Sequence, residues 1–459
     1  MRKTLFASVC LLTVMFSCSS PLPASDPATK VRQILDQPQK YSTVPEKLFN
    51  QLGWQLPDGG RNVKTIADAA AQGAFDPKKI QDLPANQLGY QASWHIQRFS
   101  FYGLDWDITG LKLQPNEPMD GMPTLAIING GSTNWYEFLV DPLNGPGIAQ
   151  YLAQKIPIIL VTIPGNYKPG GWDQDNSERI PEYLIGQDLS VREGHIRNAI
   201  YTFRLVAEGV RLLLENISSG PLLIVGHSTG GELQFMLKNS SLNPRLRDLS
   251  LGWGSGPPAS IKKEYDEQIG TRAGRVERYG RFVAWKARSR SPEGYVSAHY
   301  VGPLNPIQAA SPLEVALKWF ELEGTRRPHF KQTLQDIEHQ GMIENAKKIE
   351  TEIRQILTEN PYEIIPETVI KDLFSPSRVP LENYRKMVWV VAQLDANHWN
   401  PKEPEKSLEV FTAERFRKIN PDIPIRVLLL EAPITHYGHI ERARQVAGSL
   451  LAATEWISQ

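Results

Sequence analysis

The chain is expected to fold as an α/β protein, with a mostly parallel central sheet flanked by helices. Six short apolar runs, at 124–128, 156–163, 221–225, 249–253, 387–392 and 425–430, are each closed by glycine, proline or a polar turn. That is the form of strands buried on both faces. Helix-prone stretches separate several of these runs, 196–214 most clearly, so parallel strands can be joined by helical crossovers. Ahead of them, 90–101 and 105–113 alternate polar and apolar residues on either side of Tyr102-Gly103-Leu104. This reads as an antiparallel hairpin.

The 459 residues suffice for one large unit with an insertion, or for two or three domains. Lys plus Arg number 50 and Asp plus Glu also 50. No global field therefore attracts nucleic acid, and a charged partner must be met by a local patch. The nine histidines contain no H-x-x-x-H or H-E-x-x-H pairing, so no metal site is expected and no cofactor is implied. The sequence leaves the oligomeric state open.

The N-terminus begins Met1-Arg2-Lys3 and continues through an apolar stretch to Phe16, then Ser17-Cys18, the layout of an export signal over 1–17. The stretch is too short for an ordinary transmembrane helix, and no later run has about 18 consecutive apolar residues. Ser17-Cys18 also resembles the lipobox of bacterial lipoproteins, which implies a lipid on Cys18 and a location in the cell envelope, with plain secretion as the alternative. Both cysteines, Cys10 and Cys18, fall in this segment. Cleavage at Cys18 would leave the folded part without a disulfide, a thiol nucleophile or a thiolate metal site. Residues 20–29, rich in Ser, Pro, Ala and Asp, read as a tether, within an 18–86 extension expected to be partly helical.

The strongest chemical signal is Gly226-His227-Ser228-Thr229-Gly230, preceded by the apolar run 221–225 and followed by the helix-prone Glu232-Leu233-Gln234-Phe235-Met236. A serine on a sharp strand-to-helix turn sits in a strained conformation, and small residues two before and two after it avoid collision. With the hairpin and the buried strands, this motif resembles the α/β-hydrolase superfamily, over most of 90–257 and 385–459. The resemblance implies a serine nucleophile at Ser228 and triad partners in the chain order Ser, then Asp or Glu, then His. After the run 387–392 comes Gln393-Leu394-Asp395, which makes Asp395 the orienting acid. After the last run comes Thr435-His436-Tyr437-Gly438-His439-Ile440-Glu441. The spacing from His436 to Glu441 resembles the family's base more closely than that of His439, and His398 ranks third.

Two backbone N–H groups must stabilise the oxyanion. The resemblance implies Thr229 for one and Gly131, with Ser132 as its alternative, for the other. Asn129-Gly130-Gly131 stands where the family carries a His-Gly loop, so Asn129 departs from the pattern while the glycines are kept. The charged, helix-prone segment 259–380 is too long for a loop and falls where this family inserts a helical cap. It divides the core into 87–258 and 381–459.

Trp135, Trp172, Trp253 and Trp399 each lie at or soon after a strand end. They are candidates for an aromatic-lined mouth, or equally for core; 167–172 reads as a loop bordering it. Arg272, Arg275, Arg278 and Arg281 repeat every three residues and read best as a solvated helix face. The function implied is hydrolysis of a small-molecule carboxylic ester, with amide or peptide cleavage on the same triad as the runner-up. An envelope-anchored binding protein without turnover is the alternative from another class.

Overall fold

The computed structural model describes residues within 26–49, 89–162, 203–268 and 384–459, with gaps that include 130–135, Thr229, 254–256, 396–397 and 432–437. The export signal with Cys18, the 167–172 loop, Trp135, Trp172, the four arginines and most of 259–380 therefore lie outside the described residues. So do Gly131, Ser132, Thr229 and His436.

Eleven strands are described: β1 (Ser42–Pro45), β2 (Tyr90–Phe101), β3 (Leu104–Pro115), β4 (Thr124–Ile128), β5 (Val140–Asp141), β6 (Gly145–Pro146), β7 (Ile158–Thr162), β8 (Leu222–His227), β9 (Leu249–Trp253), β10 (Lys386–Ala392) and β11 (Ile425–Glu431). Nine of them form one sheet in the order β1-β11-β10-β9-β8-β4-β7-β3-β2, and β5 pairs with β6. From β7 to β1 every neighbouring pair is parallel, whereas β2 and β3 are antiparallel to their neighbours. The mostly parallel sheet expected from the apolar runs is present. All six residues of β8 are buried, as the central strand of a sheet covered on both faces requires.

The hairpin turns on two residues, Tyr102 (φ 49°) and Gly103 (φ 77°). Both positive angles match the right-handed twist of the strands. Leu104 is already paired with Phe101, so the turn is one residue shorter than Tyr102-Gly103-Leu104 suggested.

The described helices are α1 (Pro27–Leu35), α2 (Tyr136–Leu139), α3 (Ile148–Leu152), α4 (Phe203–Ile217), α5 (Gly230–Leu237), α6 (Leu408–Ile419), α7 (Gly438–Glu441) and α8 (Ala443–Ser458). One sheet face packs against α1, α3 and α8 through Val31, Leu152, Val446 and Leu450, beside Leu125, Leu223 and Val390. The other face packs α4 and α5, through Val206, Val210, Leu213 and Leu233, against Ile108, Ala126 and Ile224. On the β10–β11 flank of the molecule, α6 contributes Val410, Ala413 and Phe416, against Met387, Trp389 and Val427. Alternate strand residues thus enter opposite cores, as the period of two dictates. Among the described residues no helix is long and apolar enough to cross a membrane.

The tether reading of 20–29 runs too far. The first helix begins at Pro27, and Pro27, Ala28, Val31 and Leu35 form its buried stripe, the spacing of an amphipathic helix. Proline at the first helical position costs nothing there, because its missing N–H would have had no intrahelical partner. Below α1, Trp456 Nε1 donates to Asp36 Oδ1 at 2.9 Å and Arg426 Nε donates to the Leu35 carbonyl at 2.6 Å. The same extension supplies β1, which pairs in parallel with the edge of β11 from Ser42–Leu428 to Pro45–Glu431.

At the start of the long insertion, Ile261 and Tyr265 are buried. Tyr265 donates its hydroxyl to the Lys406 carbonyl at 3.0 Å and meets the Phe411 ring edge-on, the centroids 5.3 Å apart. Arg415 and Glu264 form an ion pair beside it. Ile261, Glu264 and Tyr265 therefore rest on α6 and the turn before it.

Candidate active site

Because β4, β8, β9, β10 and β11 run parallel, the loops after them emerge at one edge of the sheet, where open α/β sheets place their ligands. Ser228 follows β8 at this edge, Asp395 follows β10, and His436 belongs to the segment between β11 and α7. One strand, β9, separates β8 from β10, so at ~4.8 Å per strand the serine and acid strands lie about 10 Å apart. That gap is too wide for direct contact and is of the size an imidazole bridges.

Ser228 has φ of 52°, a left-handed conformation that costs an ordinary side chain about 1–3 kcal/mol. It persists because the turn around it admits no bulk. A Cβ built on Gly226 falls 2.5 Å from the Gly230 carbonyl carbon and from Gly231 Cα. A Cβ on Gly230 falls 2.5 Å from the Ile128 carbonyl oxygen and 3.0 Å from that of Asn129. Two glycines thus let β8, the first turn of α5 and the end of β4 meet closer than any other residue pair would permit. The Gly231 N–H donates to the Ser228 carbonyl at 3.0 Å as α5 begins, and Ser228 keeps 9% exposure. Asn129, the departure from the family loop, is buried at the end of β4, so the segment that leads to Gly131 starts against the elbow.

Behind the elbow, three rings join β8, α2 and α7. His227 meets His439 edge-on at 4.4 Å between centroids, and Phe138 lies 4.9 Å from His439 and 5.9 Å from His227. Phe138 belongs to α2 and His439 to α7. His439, weighed above as the second choice of base, is completely buried in this cluster.

Asp395 is also completely buried. Its N–H donates to the Ala392 carbonyl at 3.1 Å, and its own carbonyl accepts from His398 N–H at 3.0 Å and Trp399 N–H at 2.7 Å. The chain is thereby coiled into a tight turn at the end of β10. The turn is stapled to the start of α6: the Leu408 N–H donates to the His398 carbonyl at 3.0 Å, and the Asn400 N–H to Ser407 Oγ at 2.9 Å. His398, the third histidine considered, pairs through Nδ1 with Glu409 Oε1. Burial pushes the Glu409 carboxyl above its ordinary range; the His398 ion pair and hydrogen bond pull it down, and the nearby negative charge of Asp395 adds to the upward push.

Trp399, read as mouth or core, is core. It is 5% exposed and packs with Val410, Phe416 and Trp389, and its ring meets that of Tyr41 edge-on at 5.1 Å. For Trp253 only the strand backbone is described, paired with His227 and Val390. Glu409 was missed in the sequence: an acidic residue in a first helical turn is common and complements the helix dipole, so its spacing carries no hint of a buried partner.

A mixed sheet of this order, covered on both faces, with a strained serine between the central strand and a glycine-led helix, is the α/β-hydrolase fold. No family model matches the sequence, and no curated protein matches it. Solved structures similar to the chain include a probable hydrolytic enzyme from Pseudomonas aeruginosa, with 15% identity, 79% of this chain and 94% of that chain covered, and a TM-score of 0.44. They also include a bacterial membrane phospholipase A described as a virulence factor, with 14% identity, 86% and 96% coverage, and a TM-score of 0.40. A haloalkane dehalogenase loop variant from Bradyrhizobium elkanii gives 13% identity, 80% and 96% coverage, and a TM-score of 0.40. Such distant likeness leaves the chemistry of the site to be read from its own residues.

Proposed function

We propose that the chain is a serine hydrolase that cleaves a carboxylic ester of a small molecule through an acyl-enzyme on Ser228. The observation that carries this reading is the elbow, where φ of 52° at Ser228 is held between two glycines that tolerate no Cβ. A fold stores strain of this kind where a side chain must be presented at a fixed place.

In the reading, His436 takes the Oγ proton as Ser228 attacks the ester carbonyl carbon, and Asp395 orients and stabilises the imidazolium. The N–H groups of Thr229 and Gly131 receive the oxyanion. Collapse of the tetrahedral intermediate breaks the carbonyl carbon to alkoxy oxygen bond, and His436 returns the proton to the leaving alcohol. Water, deprotonated by the same base, then releases the acid and restores Ser228. His436 is preferred to His439 because of its spacing to Glu441, and the burial of His439 among Phe138 and His227 suits a packing role.

Hydrolysis of short and long p-nitrophenyl esters by the signal-free protein tests the reading, with amide analogues in parallel. Ser228→Ala should lower kcat by about 10⁶-fold and abolish labelling by a fluorophosphonate. Full turnover in that variant would refute the nucleophile, and cleavage of amides alone would move the substrate class. The reading also includes export and lipidation at Cys18, tested by incorporation of labelled palmitate that Cys18→Ala removes.

A further inference from the structure

Asp395 and Glu409 are both buried and close enough for the charge of Asp395 to raise the proton affinity of Glu409. Two carboxylates share a buried site only when a proton or a cationic group stands between their charges. His398, 7% exposed, is bonded to Glu409 through Nδ1. Its backbone ties it to both sides: its N–H donates to the Asp395 carbonyl, and its carbonyl accepts from Leu408 at the start of α6. One residue therefore links the acid, the turn that carries it and the helix behind that turn. Among the described residues no group of three or more His, Cys, Asp or Glu is arranged to hold a metal ion.

We propose that His398, held in place by Glu409, is a positioning residue for Asp395, fixing the carboxylate that orients the catalytic base. The inference rests on the serine hydrolase reading above. In this reading His398 and Glu409 act through the acid rather than on the substrate. A displacement of the order of 1 Å in such a group costs roughly a hundredfold in rate, so the pair governs kcat and leaves substrate affinity alone.

The test uses His398→Asn and Glu409→Gln, each alone and combined with Asp395→Asn, on the full-length mature protein with a p-nitrophenyl ester. Glu409→Gln keeps the side-chain shape but removes the carboxylate charge that pairs with the His398 ring, and it carries the test if His398→Asn fails to fold. Each single variant should lower kcat by roughly tenfold to a hundredfold at unchanged KM. In the Asp395→Asn background the same changes should add almost nothing, because a residue acting through Asp395 has nothing left to position. Wild-type kcat in folded Glu409→Gln would overturn the proposal. So would an equal fractional loss with and without Asp395, which marks a general effect on the fold. Unchanged turnover in Ser228→Ala would remove the serine hydrolase reading itself, and that control separates the two failures.

Discussion

The Ser228 turn after β8 and the Asp395 turn after β10 lie on one edge of one sheet, separated by a single strand, yet they are held by different physics. The first is held by exclusion. Gly226 and Gly230 bring backbone from β8, α5 and β4 so close that a single methyl group would collide with main-chain atoms. The second is held by polar bonds: two N–H groups converge on the Asp395 carbonyl, two more bonds tie the turn to α6, and an imidazole–carboxylate pair stands behind it. Exclusion tolerates no substitution but needs only two positions. A bonded turn degrades by steps, because each bond contributes about 0.5–1.5 kcal/mol net.

Breaking the elbow should have the larger effect on stability. Gly226→Ala is expected to cost stability at or above the upper end of the ~1–3 kcal/mol of overpacking, because the obstacles are backbone atoms that cannot rotate away. Ester turnover should fall by more than about a hundredfold in whatever protein remains folded. Urea denaturation with parallel assays measures both; near-native values would show that the turn can relax and that exclusion is not what holds Ser228.

Next in size on the acid side is Asp395→Asn. If the triad is as proposed, kcat should drop by on the order of 10⁴-fold with little change in KM, because an amide cannot hold the imidazole in the same tautomer. The cost to stability should be smaller than for Gly226→Ala, since the backbone bonds of the turn survive. A fall in stability with little change in kcat would make Asp395 a structural residue and reopen the choice of acid.

A smaller effect is expected from Ser407→Ala. It removes the acceptor for the Asn400 N–H, at the residue before α6 where a side-chain cap is favoured, and should cost about 1 kcal/mol. Turnover should stay within a few-fold, which shows the stepwise behaviour of a bonded turn. Tyr265→Phe, by deleting the hydroxyl that reaches the Lys406 carbonyl, should likewise cost about 1 kcal/mol. It should also loosen the start of the insertion from α6, visible as faster amide exchange near residue 406.

The strands and the elbow were legible because their causes are local. A run such as Leu222-Leu223-Ile224-Val225 is buried on both faces wherever it goes, and G-x-S-x-G states its own steric requirement. The hairpin was legible from its alternation, with an error of one residue at Leu104, since the pairing with Phe101 depends on the twist of both strands. The candidate site was read as a set of loops in chain order. Two of its members could not be placed by any local pattern: His439, whose ring cluster draws on Phe138 and His227, and Glu409, which meets His398 across the start of a helix.

By itself, then, the sequence determined the fold class, the strained serine and the order of the candidate groups, because hydrophobic period and glycine sterics act over a few residues. Only the tertiary structure decided that Ser42–Pro45 extends the sheet beside β11, that Trp399 belongs to the core, and that Asp395 is backed by a histidine paired with a second carboxylate. Each of these depends on which distant segments meet, and burial of the resulting contacts, rather than any residue's own preference, is what selects them.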